Sequence, residues 1–330
     1  MIEGVAYARA GLLGNPSDGY YGKIIAVSVR NFEARVTLEE GPDVRIAPPL
    51  DDEERYRSVR EFAAKIGLYG YYGGARLIKA ALKKFFDHCQ AGGIVLHDGG
   101  FVLGYSSTIP RQLGLGGSSA LVTAAMRTLM AFYGVDIPLE ILPSLVLSAE
   151  RDELEINAGF MDRVIQAYEG CVYMDLNEAL IRGRGYGRYE RLDCARLPDL
   201  YLAYDPALSK VSGRVLNEIR RSYDRGDAHT IATLKRIAGL ADMGKEAIAR
   251  GDGEGFGRLQ DENFDLRREI MAISPANMEM IRTARACGAS ANFAGSGGSI
   301  VGTFRGEEMF ERLSVDLRRL GATVLRPIIR

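Results

Sequence analysis

A glycine-rich stretch one third of the way along the chain places the strongest constraint on its fold. Residues Pro110–Ala120 read PRQLGLGGSSA, and a long helical pattern follows them. Glycines let a backbone approach a ligand closely because no Cβ stands in the way. Ser118 or Ser119 is expected to cap the following helix, whose N-terminus would present N–H groups to an anion. The stretch therefore predicts either a phosphate-binding loop or a tight turn before a core helix.

Two common phosphate-binding motifs do not fit this stretch. It contains no Gly-Lys-Ser/Thr sequence, so the lysine of a Walker A loop is missing. The dinucleotide fingerprint has another glycine spacing and follows a first strand. The formal net charge of −1 also argues against a general nucleic-acid or membrane-surface partner. A phosphate would have to be bound by local N–H groups, a few basic side chains and a metal ion.

The composition indicates a globular protein of one large or two medium domains. The chain has 330 residues, of which 47% are hydrophobic and 26% charged. Its four cysteines include no Cys-x-x-Cys pair, and its three histidines have no metal-ligand spacing. Because no signal peptide and no long apolar run occur, we expect a cytoplasmic location with reduced thiols.

Hydrophobic periodicity predicts alternating strands and helices. A hairpin is expected across Asp98–Gly100, joining strands at residues 94–96 and 101–106, and a loop is expected at 182–188. A domain boundary is expected near residues 190–197. The other predicted strands cover residues 5–14, parts of 20–38, 171–176, 200–204, 300–304 and 322–329. The predicted helices cover residues within 51–66, 75–89, 118–133, 138–151, 160–168, 211–224, 228–249, 254–271, 275–287 and 307–320.

Two carboxylates, Glu150 and Asp162, flank a helix break at residues 157–159. Phosphoryl transfer needs charge neutralisation on the phosphates and a positioned nucleophile. A magnesium ion held by a carboxylate and a hydroxyl supplies the first, and a carboxylate facing the acceptor hydroxyl supplies the second. The alternative interpretation of both residues is a surface charge at the end of a helix. Nearby alternatives to Glu150 are Asp152, Glu153 and Glu155.

Three further segments carry candidate residues. Arg9 lies within an apolar strand, where a buried charge needs a partner or a function. Asp18 lies in a turn-forming segment and is either an Asx-turn residue or a ligand. Residues Ala289–Ser299 form a second glycine-rich loop before a predicted strand, although such runs also make flexible turns. Tyr69, Tyr71 and Tyr72 either cover an adenine or a sugar, or pack in the interior.

In this order, the segments resemble the three signature motifs of the GHMP kinases, the superfamily of galactokinase, homoserine kinase, mevalonate kinase and phosphomevalonate kinase. The Gly-Leu-Gly-x-Ser-Ser-Ala motif matches residues 114–120, and the Arg, Gly and Asp of the first motif match positions 9, 14 and 18. Glu150 lies twelve residues before Asp162, and Gly-x-Met precedes the Asp, as in galactokinase-like members. In the third motif, Asn292 and Ala294 replace the basic residue and Thr of many members, which leaves side-chain roles there in doubt.

The resemblance implies an α+β, two-domain GHMP kinase fold that uses ATP and Mg²⁺. A ribosomal-protein-S5-like N-terminal domain would cover residues 1–195, and a ferredoxin-like α+β C-terminal domain would cover residues 196–330. It assigns Asp162 to the acceptor hydroxyl and Arg9 to the transferred phosphoryl group. Ser118 and Glu150 would hold the metal. The implied ATP-phosphate contacts are Pro110, Gly114, Leu115, Gly116, Gly117, Ser118, Ser119, Ala120, Gly295, Gly297 and Gly298. The implied acceptor contacts are Asp18, Arg111 and Gly159.

Within the superfamily, the sequence of these segments is most similar to the glucuronokinases, which phosphorylate the anomeric hydroxyl of glucuronate. The matching segments are Ala10–Asp18, Tyr72–Leu77, Ile109–Gln112, Ala158–Tyr168 and Val172–Asp175. A uronate carboxylate favours a guanidinium partner. Candidate cations for it are Arg111, Lys23, Lys210 and Arg214. We expect a sugar-1-kinase, monomeric or homodimeric. The alternatives are a kinase for a heptose phosphate or a mevalonate-type alcohol, and a non-catalytic nucleotide and sugar sensor.

Overall fold

The computed structural model describes residues 1–47, 73–208 and 212–330, with only the backbone of residues 212–217. The strands are β1 (Ile2–Leu13), β2 (Lys23–Gly41), β3 (Val44–Ala47), β4 (Gly100–Ser107), β5 (Cys171–Asp175), β6 (Arg188–Leu192), β7 (Leu200–Tyr204), β8 (Asn292–Phe293), β9 (Ser299–Thr303) and β10 (Thr323–Leu325). The helices are α1 (Gly74–Ala91), α2 (Gly117–Tyr133), α3 (Leu142–Arg151), α4 (Met161–Tyr168), α5 (Glu178–Arg184), α6 (Ser212–Asp224), α7 (Ala228–Arg250), α8 (Gly253–Ile270), α9 (Pro275–Ala286) and α10 (Gly306–Arg319).

Some predicted features lie outside the described residues. These are the helix within residues 51–66, the tyrosines Tyr69, Tyr71 and Tyr72, Lys210, and the side chain of Arg214.

The first half of the chain forms a six-stranded sheet around the long strand β2. The strand order is β3-β4-β2-β5-β6, and β1 pairs with β2 on its own. One end of β2 pairs with β4 and the other with β5, all antiparallel, while β3 and β4 are parallel. In β2, Ala34, Val36 and Leu38 are buried at alternate positions, so one face of the sheet supplies the core. Helices α1 and α2 lie against each other, and α2 packs on β1.

The second sheet has the strand order β10-β7-β9-β8, and its paired strands are antiparallel. This is the order of a ferredoxin-like sheet, as expected from the sequence. Helix α7 leaves this half of the chain and packs on the first sheet, where Gly244 meets Leu13 and Ile25. One hydrophobic cluster therefore contains residues from both halves. Among the described helices, each is too short or too polar to cross a bilayer.

The structure corrects four local predictions. The hairpin across Asp98–Gly100 is wrong, because β4 pairs with β2 and β3 while Val95 is exposed. Residues 182–188 are not a loop throughout, because α5 continues to Arg184 and β6 begins at Arg188. Asn177 caps the start of α5 by accepting a hydrogen bond from Ala179 N. Helix α3 begins at Leu142 after a turn at Pro138 rather than at Pro138 itself. Neither Ser118 nor Ser119 caps α2. The predicted helices of the second half are confirmed to within two residues at either end.

Candidate functional site

The first glycine-rich loop ends in a glycine cap on α2. Gly116 is the N-cap residue and has φ 76°, a left-handed conformation that favours glycine over serine. Ser119 is fully buried and donates from Oγ to Gly116 O at 3.0 Å, so it faces back into the loop. Gln166 Nε2 donates to the same carbonyl at 2.7 Å. The carbonyl of the cap is thereby occupied, and the N-terminal N–H groups of α2 remain for an anion.

Arg9 connects this loop to Asp162. It projects from β1 with only 5% of its surface exposed. Its Nε donates to Asp162 Oδ1 at 2.7 Å, and its Nη1 donates to Gly114 O and, at 3.0 Å, to Ala294 O. One guanidinium therefore contacts both glycine-rich loops and the carboxylate at the start of α4. The buried charge that the sequence left without a partner is fully paired.

The second glycine-rich loop is held by contacts with β1, with α8 and with the first loop. Gly11 N donates to Ala294 O at 2.8 Å, and Ser299 Oγ donates to Leu113 O at 2.6 Å. Arg267, fully buried, donates from Nη2 to Gly295 O at 2.9 Å. A Cβ on Gly295 would lie 2.1 Å from Gly114 O, so the two loops touch through backbone atoms at this position.

Glu150 forms a buried ion pair with Arg163. Both side chains are almost completely buried, and Arg163 donates to Glu150 Oε2 from Nη2 and, at 2.7 Å, from Nε. Arg163 Nη1 also donates to Gly159 O at 3.0 Å and lies 3.8 Å from Asp162 Oδ2. Glu150 Oε1 accepts no hydrogen bond from any described residue. Glu150 thus acts on Asp162 through Arg163 and retains one free carboxylate oxygen.

Asp18 lies beside Asp162 and contacts the helix break. Its Oδ2 accepts a hydrogen bond from Met161 N at 3.2 Å. The carboxylate lies so close to Gly159 that a Cβ there would stand 1.9 Å from Oδ2. Asp18 is therefore positioned by the residue before Asp162 and by the glycine of the break.

The two aspartates have opposite pKa shifts. Burial raises the pKa of Asp18, and the neighbouring Asp162 raises it further. Burial alone would also raise the pKa of Asp162, but Arg9 and Arg163 outweigh it, so that the pKa of this carboxyl is lowered below 3.8. Asp162 consequently remains ionised at neutral pH, beside a second carboxyl that binds a proton more readily.

These groups surround a cavity of about 340 Å³. Predicted phosphate-loop positions in its wall are Pro110, Gly114, Leu115, Gly116, Gly117 and Ser118. Predicted positions from the other segments and from the start of this loop are Arg9, Asp18, Arg111, Gly159, Asp162 and Gly295. Ser119, Ala120 and Glu150 are fully buried. Gly297 and Gly298 are buried further along the second loop, where Gly298 N donates to Asn277 Oδ1 at 3.1 Å.

Sequence reasoning missed three residues of this site. Arg163 and Gln166 lie in α4 next to Asp162, and Arg220 reaches the cavity wall from α6. Gln166 lies four residues after Asp162 and therefore on the same helix face, so helical spacing was an available signal for it. Arg163 directly follows Asp162, and this spacing does not single it out. Arg220 comes from a distant helix, and no sequence pattern singles it out. Within the described residues, no cluster of three or more His, Cys, Asp or Glu forms a metal site made of protein alone.

Comparisons with known protein families agree with this arrangement. The family description "GHMP kinases N terminal domain" matches residues 76–170, and "GHMP kinases C terminal" matches residues 245–321. The first match contains the first glycine-rich loop and Asp162, and the second contains the loop around Gly295. Both glycine-rich loops and Asp162 therefore lie within matched segments, whereas Arg9, Asp18 and Arg220 lie outside them.

Individual relatives are similar over most of the chain. Glucuronokinase 1 of Arabidopsis thaliana is 39% identical over 335 residues, covering 99% of this chain and 91% of the relative. Probable glucuronokinase 2 of the same plant is 41% identical over 308 residues, covering 91% and 84%. The solved structure of Streptococcus pneumoniae phosphomevalonate kinase with phosphomevalonate and AMPPNP has a TM-score of 0.77 at 16% identity, covering 99% of this chain and 100% of that one. This last likeness concerns the fold alone.

Proposed function

Because the chain belongs to the GHMP kinase family and is an ATP-dependent sugar-1-kinase, we propose that its acceptor is glucuronate and its product the 1-phosphate. The observation that carries the proposal is the similarity to glucuronokinases over nearly the whole chain. The cavity supports it: an ionised aspartate held by an arginine faces the same space as a glycine loop at a helix N-terminus. This combination suits transfer of a phosphoryl group to a hydroxyl.

In the proposed reaction, Asp162 accepts the hydrogen bond of the anomeric hydroxyl and takes its proton late, as the sugar oxygen bonds to the γ-phosphorus of ATP and the bond from that phosphorus to ADP breaks. Arg9 keeps Asp162 ionised and offsets charge on the transferred phosphoryl group. The N–H groups of the loop from Gly114 to Ser118 bind the ATP phosphates, and Gly295 closes the site from the opposite side. Asp18 and Gly159 orient the sugar.

Ser118 and Glu150 would hold the magnesium ion. A buried carboxylate oxygen without a donor is unfavourable, and Glu150 Oε1 is such an atom among the described residues. A hard cation prefers oxygen ligands, and Ser118 offers a hydroxyl in the cavity wall. Glu150 Oε1 and the Ser118 hydroxyl are thus oxygen ligands of the kind that magnesium binds. When bound, the ion would neutralise charge on the ATP phosphates.

A substrate panel tests the acceptor. The purified enzyme is incubated with ATP, magnesium and one acceptor at a time: glucuronate, galacturonate, glucose, galactose, a heptose phosphate or mevalonate. We expect the highest kcat/KM with glucuronate, and a product whose phosphorus NMR spectrum shows phosphate coupled to the anomeric proton. A higher kcat/KM with the heptose phosphate or mevalonate would contradict the proposed acceptor. ATP and sugar binding without turnover would indicate the sensor instead.

The contact between the two glycine loops gives a prediction for ATP binding. In Gly295→Ala, the new Cβ would lie 2.1 Å from Gly114 O and 2.7 Å from Arg9 Nη1, so the loops must separate. Because such overpacking costs about 1–3 kcal/mol, we expect the KM for ATP to rise about tenfold or more. Gly239→Ala in α7 is the matched control, since nothing lies within 4 Å of its added Cβ. Equal ATP KM values for the two variants would show that the loops do not act together.

The raised pKa of Asp18 gives a prediction for pH dependence. Asp18 accepts hydrogen bonds from sugar hydroxyls more strongly when it is ionised, and its pKa lies above 3.8 because of burial and Asp162. We therefore expect the kcat/KM for the acceptor to fall as the pH is lowered, and the midpoint of this fall to lie above pH 3.8. In Asp18→Asn, kcat/KM should be lower throughout and this acid limb should disappear. An unchanged limb in the variant would assign the titration to another group.

The proposed domains are residues 1–195 and 196–330. The last strand of the first sheet ends at Leu192 and the first strand of the second begins at Leu200, which supports this division. The proposed location is the cytoplasm, supported by four cysteines that are all free. The proposed ligands are ATP and the sugar acid alone, without nucleic acid or membrane, in a monomer or homodimer.

A further inference from the structure

We infer that Arg220 binds the carboxylate of the acceptor and thereby selects sugar acids over neutral sugars. The inference rests on the proposed function, because it concerns the far end of the same acceptor site. Arg220 lies on α6, in the second half of the chain, and its side chain reaches the cavity that contains Asp162.

Arg220 stands at the junction of two cavities. A second cavity, of about 440 Å³, adjoins the first and shares Asp18, Gly19 and Arg220 with it. Arg9 and Ser118 border only the first cavity, at the phosphate end. A ligand that extends from the phosphate loop past Asp18 therefore meets Arg220 where the first cavity ends.

A continuous path of contacts joins Arg220 to the reacting groups. Arg220 Nη2 donates to Gly19 O at 2.8 Å, and Gly19 directly follows Asp18. Asp18 Oδ2 accepts from Met161 N, and Met161 directly precedes Asp162. Asp162 and Arg220 thus lie at the two ends of one wall, with Asp18 between them. An acceptor with its reacting hydroxyl at one end and a carboxylate at the other would match this order.

The guanidinium of Arg220 is held in place and still has N–H donors available. It stacks 4.4 Å above the ring of Tyr20, and its ion pair with the exposed Asp224 is loose, at 3.8 Å. Within the part of the chain that the structure describes, its single hydrogen bond is the one to Gly19. A guanidinium has five N–H donors in a planar fork, so an edge remains for a carboxylate. Because Tyr20 and Gly19 hold the group in place, little rotamer freedom is lost on binding.

Except for Arg111, the other cations described around these cavities are held by other groups. Arg9 and Arg163 hold Asp162 and Glu150. Arg151 donates from both Nε and Nη2 to Ala158 O. Lys23, a candidate from the sequence, pairs with Asp242 at 2.7 Å and borders a separate cavity. Arg111 borders the first cavity from the phosphate loop, so it is the rival to Arg220.

The test compares glucuronate with glucuronamide, its neutral analogue of nearly the same shape, in wild type and Arg220→Met. We expect Arg220→Met to raise the KM for glucuronate about 10- to 100-fold, because a hydrogen-bonded charged pair is lost. The kcat/KM for glucuronamide and the KM for ATP should stay within about twofold of wild type. Arg220→Lys should lie between the two, since an ammonium keeps the charge but not the fork. Arg221→Met, the exposed neighbour on α6, is the matched control and should behave as wild type.

The outcomes separate this inference from the proposed function. A wild-type enzyme that phosphorylates another acceptor but not glucuronate overturns the proposed function before any variant is made. A wild type active on glucuronate whose preference over glucuronamide survives in Arg220→Met overturns the assignment to Arg220 alone. Loss of that preference in Arg111→Met, with Arg220→Met unaffected, also overturns it. If Arg220→Met does not fold, Arg220→Lys decides through the same ratio.

Discussion

Asp162→Asn is expected to lower kcat by about two to four decades, the usual range for loss of a general base. The side-chain shape and a hydrogen-bonding group remain, but the negative charge and the proton acceptor are removed. Arg9 and Arg163 lower the pKa of Asp162 against the effect of burial, so the wild-type group is ionised throughout the neutral range. Much of the loss will reflect orientation of the sugar hydroxyl, since phosphoryl transfer has a loose transition state.

ATP binding should change little in the same variant. The first glycine-rich loop is held by backbone contacts, by Gln166 and by Arg9 Nη1, and Asp162→Asn removes none of these groups. A kcat effect with an unchanged nucleotide affinity is the signature of an interaction made in the transition state. The measurement is kcat together with the dissociation constant of ATP. Asp87→Asn, an exposed carboxylate on α1 paired with Lys83, is the matched control and should retain full activity. Near-native turnover in Asp162→Asn would transfer the role to Asp18.

The sequence predicted those parts of the site that are encoded locally. The two glycine-rich loops and Asp162 could be singled out because each lies in a short motif with fixed spacing, and the structure brings them to one cavity. The helices of the second half followed from hydrophobic periodicity, which does not depend on distant partners. Arg9 could be singled out because a charge within an apolar strand needs a partner.

The rest depended on contacts between segments far apart in the chain. The predicted hairpin across Asp98–Gly100 is wrong because β4 pairs with β2 and β3. Local turn propensity carries no information about pairing with these strands. Lys23 is a candidate partner for the acceptor carboxylate when only the sequence is considered. In the structure it pairs with Asp242, over two hundred residues away. The pairing of Glu150 with Arg163 joins two consecutive helices across the break at residues 157–159, and helical spacing does not determine how the chain crosses that break.

That pairing leads to the second large effect. Arg163→Met is expected to lower the free energy of unfolding by about 3–5 kcal/mol, because it leaves the charge of Glu150 buried without a partner. A second change, Glu150→Leu, should restore much of the loss, since both buried charges are then absent. Arg258→Met breaks an exposed ion pair with Glu254 and, as the control, should cost less than about 1 kcal/mol. The measurement is urea unfolding of the three variants and wild type.

Glu150→Gln separates this structural task from the proposed metal task. The amide can still accept a hydrogen bond from Arg163, so the loss of stability should be smaller than in Arg163→Met. A neutral amide is a poorer ligand for a hard cation than a carboxylate. We therefore expect Glu150→Gln to need about tenfold or more magnesium for half-maximal turnover. An unchanged magnesium requirement, together with destabilisation equal to that of Arg163→Met, would limit Glu150 to positioning Arg163 beside Asp162.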